Sequence, residues 1–193
     1  KGCNKSNCNL IGGETAEMPG TYQKNKFDLA GFSVGHIPEG MDLPTNNICS
    51  GDYVYGIKSS GIHANGYSLV RKLLQSYSYP NMEELLTPTI IYVNQVNMLK
   101  QKYQINGLAH ITGGGITENI PRIIPPYLHF QLDYSWELPN IFKWIQEKSG
   151  MDDAELLRTF NCGIGMAVIV PSQTSIDVED DLIYMGRLIH SKK

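Results

Sequence analysis

Short apolar runs alternate with stretches whose apolar residues recur at helical spacing, and this predicts strands and helices in turn. Asp52 to Ile57 predicts a strand, and Tyr67 to Tyr77 a helix with Leu69, Val70, Leu73, Leu74 and Tyr77 on its apolar side. A second helix follows Pro88, with Tyr92, Val96, Leu99 and Tyr103 on one face. Ile116 to Ile124 predicts a short helix halted by Pro125 and Pro126, and Leu128 to Leu132 a strand. Pro139 to Glu147 predicts a helix with proline in its first turn, and Asp152 to Arg158 another helical piece. Gly163 to Val170 and Leu182 to Ile189 complete the strands. Nearer the start, residues 1 to 9 read as the tail of a helix and Asn9 to Ile11 as a short strand. Phe27 to Gly35 reads as a strand through small, apolar, β-prone residues. The pattern is that of an α/β fold of the α+β type, a layered mixed β-sheet with flanking helices.

Pro38, Gly40, Pro44 and the Asn46-Asn47 pair make a loop, and a domain boundary near residue 43 fits it. One helix end and two strands bury no core of their own. Residues 1–43 are therefore expected to be the tail of a truncated first domain, and 44–193 a second domain. Apolar strands exposed in such a tail predict self-association.

The 193 residues are 41% hydrophobic and 18% charged, which describes a globular chain and not a disordered one. A net charge of −3, without a basic run, argues against a nucleic-acid partner. The longest apolar run, Met166 to Val170, is too short to span a membrane, and no secretory signal is visible. Cys3, Cys8, Cys49 and Cys162 lack zinc-ligand spacing and read as reduced thiols of a cytoplasmic protein. Cys162 opens an apolar run and reads as buried packing in preference to a nucleophile.

Four stretches carry the candidate chemistry. The first, Gly12-Gly13-Glu14-Thr15-Ala16-Glu17-Met18-Pro19-Gly20, makes a rigid loop that presents carboxylates and bare N–H groups. A metal-bound phosphate and a plain turn both suit it, with Glu14 and Glu17 able to hold Mg²⁺ or to be solvated. The second, Ser59 to Ser68, places Ser59, Ser60, Gly61, His63, Asn65 and Gly66 at a strand-to-helix turn. Such groups read a ribose phosphate or stabilise developing charge. The plain alternative is helix capping by Asn65 beside a satisfied surface histidine. In the third, His110 to Arg122, the glycines Gly113, Gly114 and Gly115 uncover N–H groups at a helix start, where an anion is favoured. A tight turn needing positive φ is the alternative, but His110, Thr112, Asn119 and Arg122 surround the turn with donors. It is not a Walker loop, because no Gly-Lys-Ser/Thr ending follows. The fourth stretch is Arg158 to Met166. The acidic run Asp177 to Asp181 reads as a solvated turn, and Tyr92, Tyr103, Trp136 and Trp144 as packing.

Taken in order, the four stretches resemble phosphoribosylformylglycinamidine cyclo-ligase, also called aminoimidazole ribonucleotide (AIR) synthetase, from the first residue to about Val170. The resemblance implies an AIR-synthetase-like C-terminal domain behind the end of an ATP-binding domain. It implies ATP and Mg²⁺ as cofactors, with Glu14 as the metal contact and Thr15 and Glu17 supporting the ATP phosphates. Ser59, Ser60, Gly61, Asn65, Gly66, Thr112, Gly113, Gly114, Gly115, Asn119 and Arg122 would bind formylglycinamidine ribonucleotide, with His63 or His110 shuttling the proton. The implied reaction phosphorylates the formamide oxygen, after which the amidine nitrogen attacks the activated carbon to give AIR, ADP and phosphate. The family's glycine-rich Asp-Gly-x-Gly-Thr-Lys section is expected in a longer parent, so this piece alone is expected to be inactive. A homodimer is the further partner that the resemblance implies. Departures are Ile90, where the family has arginine, and shortened stretches at Gln75–Glu84 and Pro171–Asp181. A selenide- or thiamine-phosphate-type kinase, or a non-catalytic nucleotide-binding remnant, are the alternatives.

Overall fold

The computed structural model describes residues 1–177 and 180–191, in two compact units, Lys1–Asp42 and Leu43–Lys193. Of the acidic run, Val178 and Glu179 lie outside the described residues.

In the first unit a single helical turn, α1 (Gly2–Lys5), is closed by Ser6, whose hydroxyl donates to the carbonyls of Gly2 and Cys3 at 3.1 and 3.0 Å. Residues 6 to 42 contain no strand, so the strands expected at Asn9–Ile11 and Phe27–Gly35 do not form. A strand exists only against a hydrogen-bonded neighbour. These segments have none, and Leu29 and Phe32 stand 95% and 94% exposed.

The second unit is built on five strands: β1 (Tyr53–Lys58), β2 (Gly107–His110), β3 (Leu128–Leu132), β4 (Ile164–Val170) and β5 (Ile183–His190). Their order across the sheet is β2-β4-β1-β5-β3. Every described ladder is antiparallel, which corrects the expectation of mixed pairing. The reason lies in the topology. β1, β2 and β3 share one direction, as helical crossovers require, but β4 and β5 insert between them and run the other way.

Helices α2 (Tyr67–Leu74), α4 (Gly115–Asn119), α5 (Asn140–Ser149) and α6 (Asp153–Thr159) share one core with the sheet. That core includes Val54, Ala109 and Ile169 from strands and Val70, Ile116, Phe142, Ile145 and Leu156 from helices. Helix α3 (Val93–Lys102) brings Leu99 to a second, smaller core with Ile57, Val168 and Val170. The alternation of β1, in which Val54 joins one core and Ile57 the other, is what lets both form.

Helix ends differ from the sequence reading for local reasons. The helix expected over Ile116–Ile124 breaks after α4, because Pro121 carries no N–H, and continues as a 3₁₀ turn, Pro121–Ile123. Strand β2 is a finding that the apolar pattern missed, since Gly107-Leu108-Ala109-His110 holds too few apolar positions to show a period. Tyr92 and Trp144 are buried, Trp136 donates to the Cys162 carbonyl at 3.0 Å, and Tyr103 packs at the edge of the smaller core. Among the described residues, no helix is long and apolar enough to cross a membrane.

Candidate functional site

The ends of β1 and β2 lie beside the start of β4, because β4 runs against both. The second, third and fourth glycine-rich stretches leave or enter the sheet at this end. The first stretch belongs to the other unit, where Glu14, Thr15 and Glu17 lie exposed on irregular backbone. Among the described residues, no three His, Cys, Asp or Glu side chains gather as a metal cluster.

Asn161 ties the second stretch to the fourth, a role that the sequence reading did not assign. Its amide nitrogen donates to the Gly61 carbonyl at 2.8 Å, and its oxygen accepts from the Gly163 N–H at 2.9 Å. The Ser59 hydroxyl lies 2.9 Å from both that oxygen and the Gly61 carbonyl, and the Ser59 N–H donates to Gly163 at 2.8 Å. Ser60 donates its hydroxyl proton to the Pro88 carbonyl at 2.8 Å. Both serines thus use their protons to shape the turn. The alternative of a cap by Asn65 is not met, since Gly66 occupies the N-cap of α2 with φ +79° and no side-chain bond. Asn65 instead turns toward the third stretch, where a Cβ on Gly113 would meet its Oδ1 at 3.7 Å.

In the third stretch Asn119 is buried and works as a clamp. Its amide nitrogen donates to Thr112, Gly113 and Gly115 carbonyls at 3.3, 3.2 and 2.7 Å, and its oxygen accepts from Arg122 at 3.0 Å. Arg122 also lies 3.6 Å from Glu118, with more than half of its side chain exposed. The three glycines are not equivalent. Gly114 and Gly115 have φ of +94° and +57°, so a tight turn does explain them, whereas Gly113 needs no left-handed backbone and its nearest neighbour is Asn65.

His63 and His110 flank Tyr92, with ring centroids 6.1 and 6.0 Å from the phenol. His63 is 4% exposed, so the surface histidine of the plain reading is in fact a core residue. Burial, then the charge of His110, draws its pKa down to about 4. Its Nε2 accepts the Ser60 N–H at 3.2 Å, so the neutral ring carries its proton on Nδ1, which has no hydrogen-bond partner among the described residues. His110 ends β2 opposite Met166 and is exposed. Beside it a groove of about 360 Å³ is lined by Ile90, Tyr92, Val96, Leu108 and Met166.

The depressed His63 value has a consequence for stability. The unfolded ring binds its proton near pH 6.5 and the folded ring only near 4, so acid favours unfolding. The contribution is fully present above pH 6.5 and is lost as pH falls toward 4, on the order of 2 kcal/mol. Denaturant midpoints taken between those pH values are expected to fall in the parent and to fall less in His63→Gln.

All four cysteines are free thiols. Cys162 is buried, and burial followed by the Asp153 charge pushes its thiol up to about 12, which keeps it protonated and agrees with packing. At pH 8 an aromatic disulfide reagent is expected to modify exposed Cys8 rapidly and Cys162 only after denaturation.

The family model for the AIR synthase related protein, C-terminal domain, matches residues 50–181. A phosphoribosylformylglycinamidine cyclo-ligase of Burkholderia multivorans is 46% identical over 98% of this chain and 57% of its own length. The protein of the same name from Neisseria meningitidis is 44% identical over 98% of this chain and 58% of its own length. The chain thus spans little more than half the length of these curated relatives. Thiamine monophosphate kinase of Aquifex aeolicus aligns in structure at a TM-score of 0.49 and 20% identity, over 74% of this chain and 49% of that one.

Proposed function

We propose, from the premise that the chain belongs to the AIR synthase related family through its C-terminal domain, that it forms the substrate side of an ATP-dependent ring closure. The substrate would be formylglycinamidine ribonucleotide, and the products aminoimidazole ribonucleotide, ADP and phosphate. The observation that carries this reading is the meeting of three glycine-rich turns with His110 at one end of one sheet.

The chain's residues divide the work. Arg122, with the backbone at Gly113, offers donors for the nucleotide's phosphate, Thr112 beside them shares the Asn119 oxygen at 3.4 Å, and Asn65 stands beside that loop. Asn119, Asn161, Ser59 and Ser60 hold the two turns in shape, while Gly61 and Gly66 permit their bends. His110 is the exposed imidazole that takes the proton released as the amidine nitrogen bonds to carbon. Mg²⁺ needs only one or two protein carboxylates beside phosphate oxygens, and the exposed Glu14 and Glu17 fit that donor set, with Thr15 supporting the ATP phosphates. ATP, when bound, supplies the phosphoryl group that turns the formamide oxygen into a leaving group. Residues 1–43 fit the end of the ATP-binding domain in this scheme, and the chain by itself binds the nucleotide without turnover.

The test is twofold. Calorimetric titration of the chain with formylglycinamidine ribonucleotide is expected to show binding that Arg122→Ala weakens. A longer protein containing the chain, given Mg-ATP, is expected to release ADP only when that nucleotide is added. ADP release without it, or dependent on another acceptor, would reject the assignment.

A further inference from the structure

We propose that Tyr92 is a positioning residue of this site, a side chain through which His63 and His110 are held at a fixed spacing. Three of the glycine-rich stretches meet at its ring. Its hydroxyl donates to the carbonyl of Lys58, just before the second stretch, at 2.8 Å. Its face lies tilted at 54° to His63 and 68° to His110, which opens the third stretch. In the fourth stretch Gly165 lies directly against it. A Cβ on Gly165 would overlap the Tyr92 hydroxyl and come within 2.7 Å of both Tyr92 Cζ and His63 Cε1.

Gly165 is the informative partner. It stands in a strand otherwise made of Ile164, Met166, Ala167, Val168, Ile169 and Val170, where a side chain is the rule. A core that needed only bulk here would fill position 165 and carry a smaller residue at 92. This one leaves 165 bare so that a phenol and an imidazole can lie side by side on the backbone. Tyr92 is 5% exposed, and it sits immediately before α3, so its backbone is fixed by that helix as well.

The arrangement makes the two histidines unequal. His63 is enclosed by Tyr92, the Ser60 N–H and Gly165, with His110 as its charged neighbour, and serves to shape the Ser59–Gly61 turn. His110 is left as the imidazole open to a reactant. The inference deepens the proposed function and rests on it only for the identity of that reactant.

Imidazole titration by NMR in the whole chain tests the positioning role without any ligand. Tyr92→Leu removes the ring, so water reaches His63 and its midpoint is expected to climb toward the ordinary 6.5, while the ring resonances of His110 move as well. Tyr92→Phe keeps the ring and is expected to hold the His63 midpoint and the His110 ring resonances at their parent values. Should the leucine variant not fold, Tyr92→Met reads the same contrast with an unbranched filler. An unchanged His63 midpoint or unmoved His110 ring resonances in the ringless variant overturns the proposal, as does a phenylalanine variant that shifts as far as leucine. Failure of nucleotide binding would leave this result untouched, so the two readings fail separately.

Discussion

Gly115→Ala is expected to lower the unfolding free energy by about 4 kcal/mol, whereas Gly113→Ala changes it by less than about 1 kcal/mol. The three glycines from 113 to 115 look alike in sequence, but they meet different surroundings. At Gly115, φ is +57°, a region that costs an alanine about 1 kcal/mol before any contact is counted. Its Cβ would then enter the backbone of α6, overlapping the Leu157 carbonyl and lying 2.9 Å from Arg158 C. A helix backbone cannot swing aside as a side chain can, so α4 would have to leave α6 and carry Ile116 out of the core. At Gly113 the nearest atom to an added Cβ is Asn65 Oδ1 at 3.7 Å, an ordinary contact. Urea denaturation of the two variants measures the contrast. Equal losses would mean that the loop, and not the α4–α6 packing, dictates these glycines. If the folded Gly113→Ala chain also binds the nucleotide more weakly, the methyl reports on the face of the loop itself.

The contrast also shows what could be read from the chain and what could not. Strands β1, β4 and β5 and helices α2, α5 and α6 were legible because each carries an apolar period long enough to count. Pairing was not, because the insertion of β4 and β5 between β1, β2 and β3 depends on contacts far apart in sequence. Phe27 to Gly35 shows the opposite failure. Its residues prefer a strand, but preference without a neighbour's N–H and C=O groups makes none. At the site, the glycine turns and both histidines stood out by composition. Asn161 and Gly165 did not, though both lie within the fourth stretch, because their work consists of bonds and contacts to residues far away in the chain, such as Gly61 and Tyr92. His63 is a site candidate whose plain alternative is a surface histidine, and its burial beside Tyr92 makes it a core histidine instead. The signal that could have found Asn161 is its place before Cys162-Gly163, where an amide commonly pairs with backbone groups around a turn.

Asn161→Ala is expected to cost about 3 kcal/mol and to disorganise the site more than any single serine change. The amide is 2% exposed, so water cannot take over its bonds. Without it, the Gly163 N–H loses the acceptor 2.9 Å away, and the Gly61 carbonyl keeps only the Ser59 hydroxyl. Each buried polar group left unpaired costs about 1–3 kcal/mol, and the vacated side-chain volume adds to that. Ser59→Ala removes one hydroxyl and leaves the amide's two backbone bonds intact, so its cost should be about 1 kcal/mol. No smaller residue replaces the amide, because the site needs a donor for Gly61 and an acceptor for Gly163 on one short side chain. An aspartate supplies the acceptor alone and turns a second oxygen toward the Gly61 carbonyl. Denaturation of the alanine and serine-site variants, with the NMR position of the His63 ring as a second readout, separates the cases. If Asn161→Ala matches Ser59→Ala in stability and leaves His63 in place, the backbone bond from Ser59 to Gly163 is enough to join the two stretches. A larger loss, with His63 displaced, means that the geometry around both histidines depends on one buried amide.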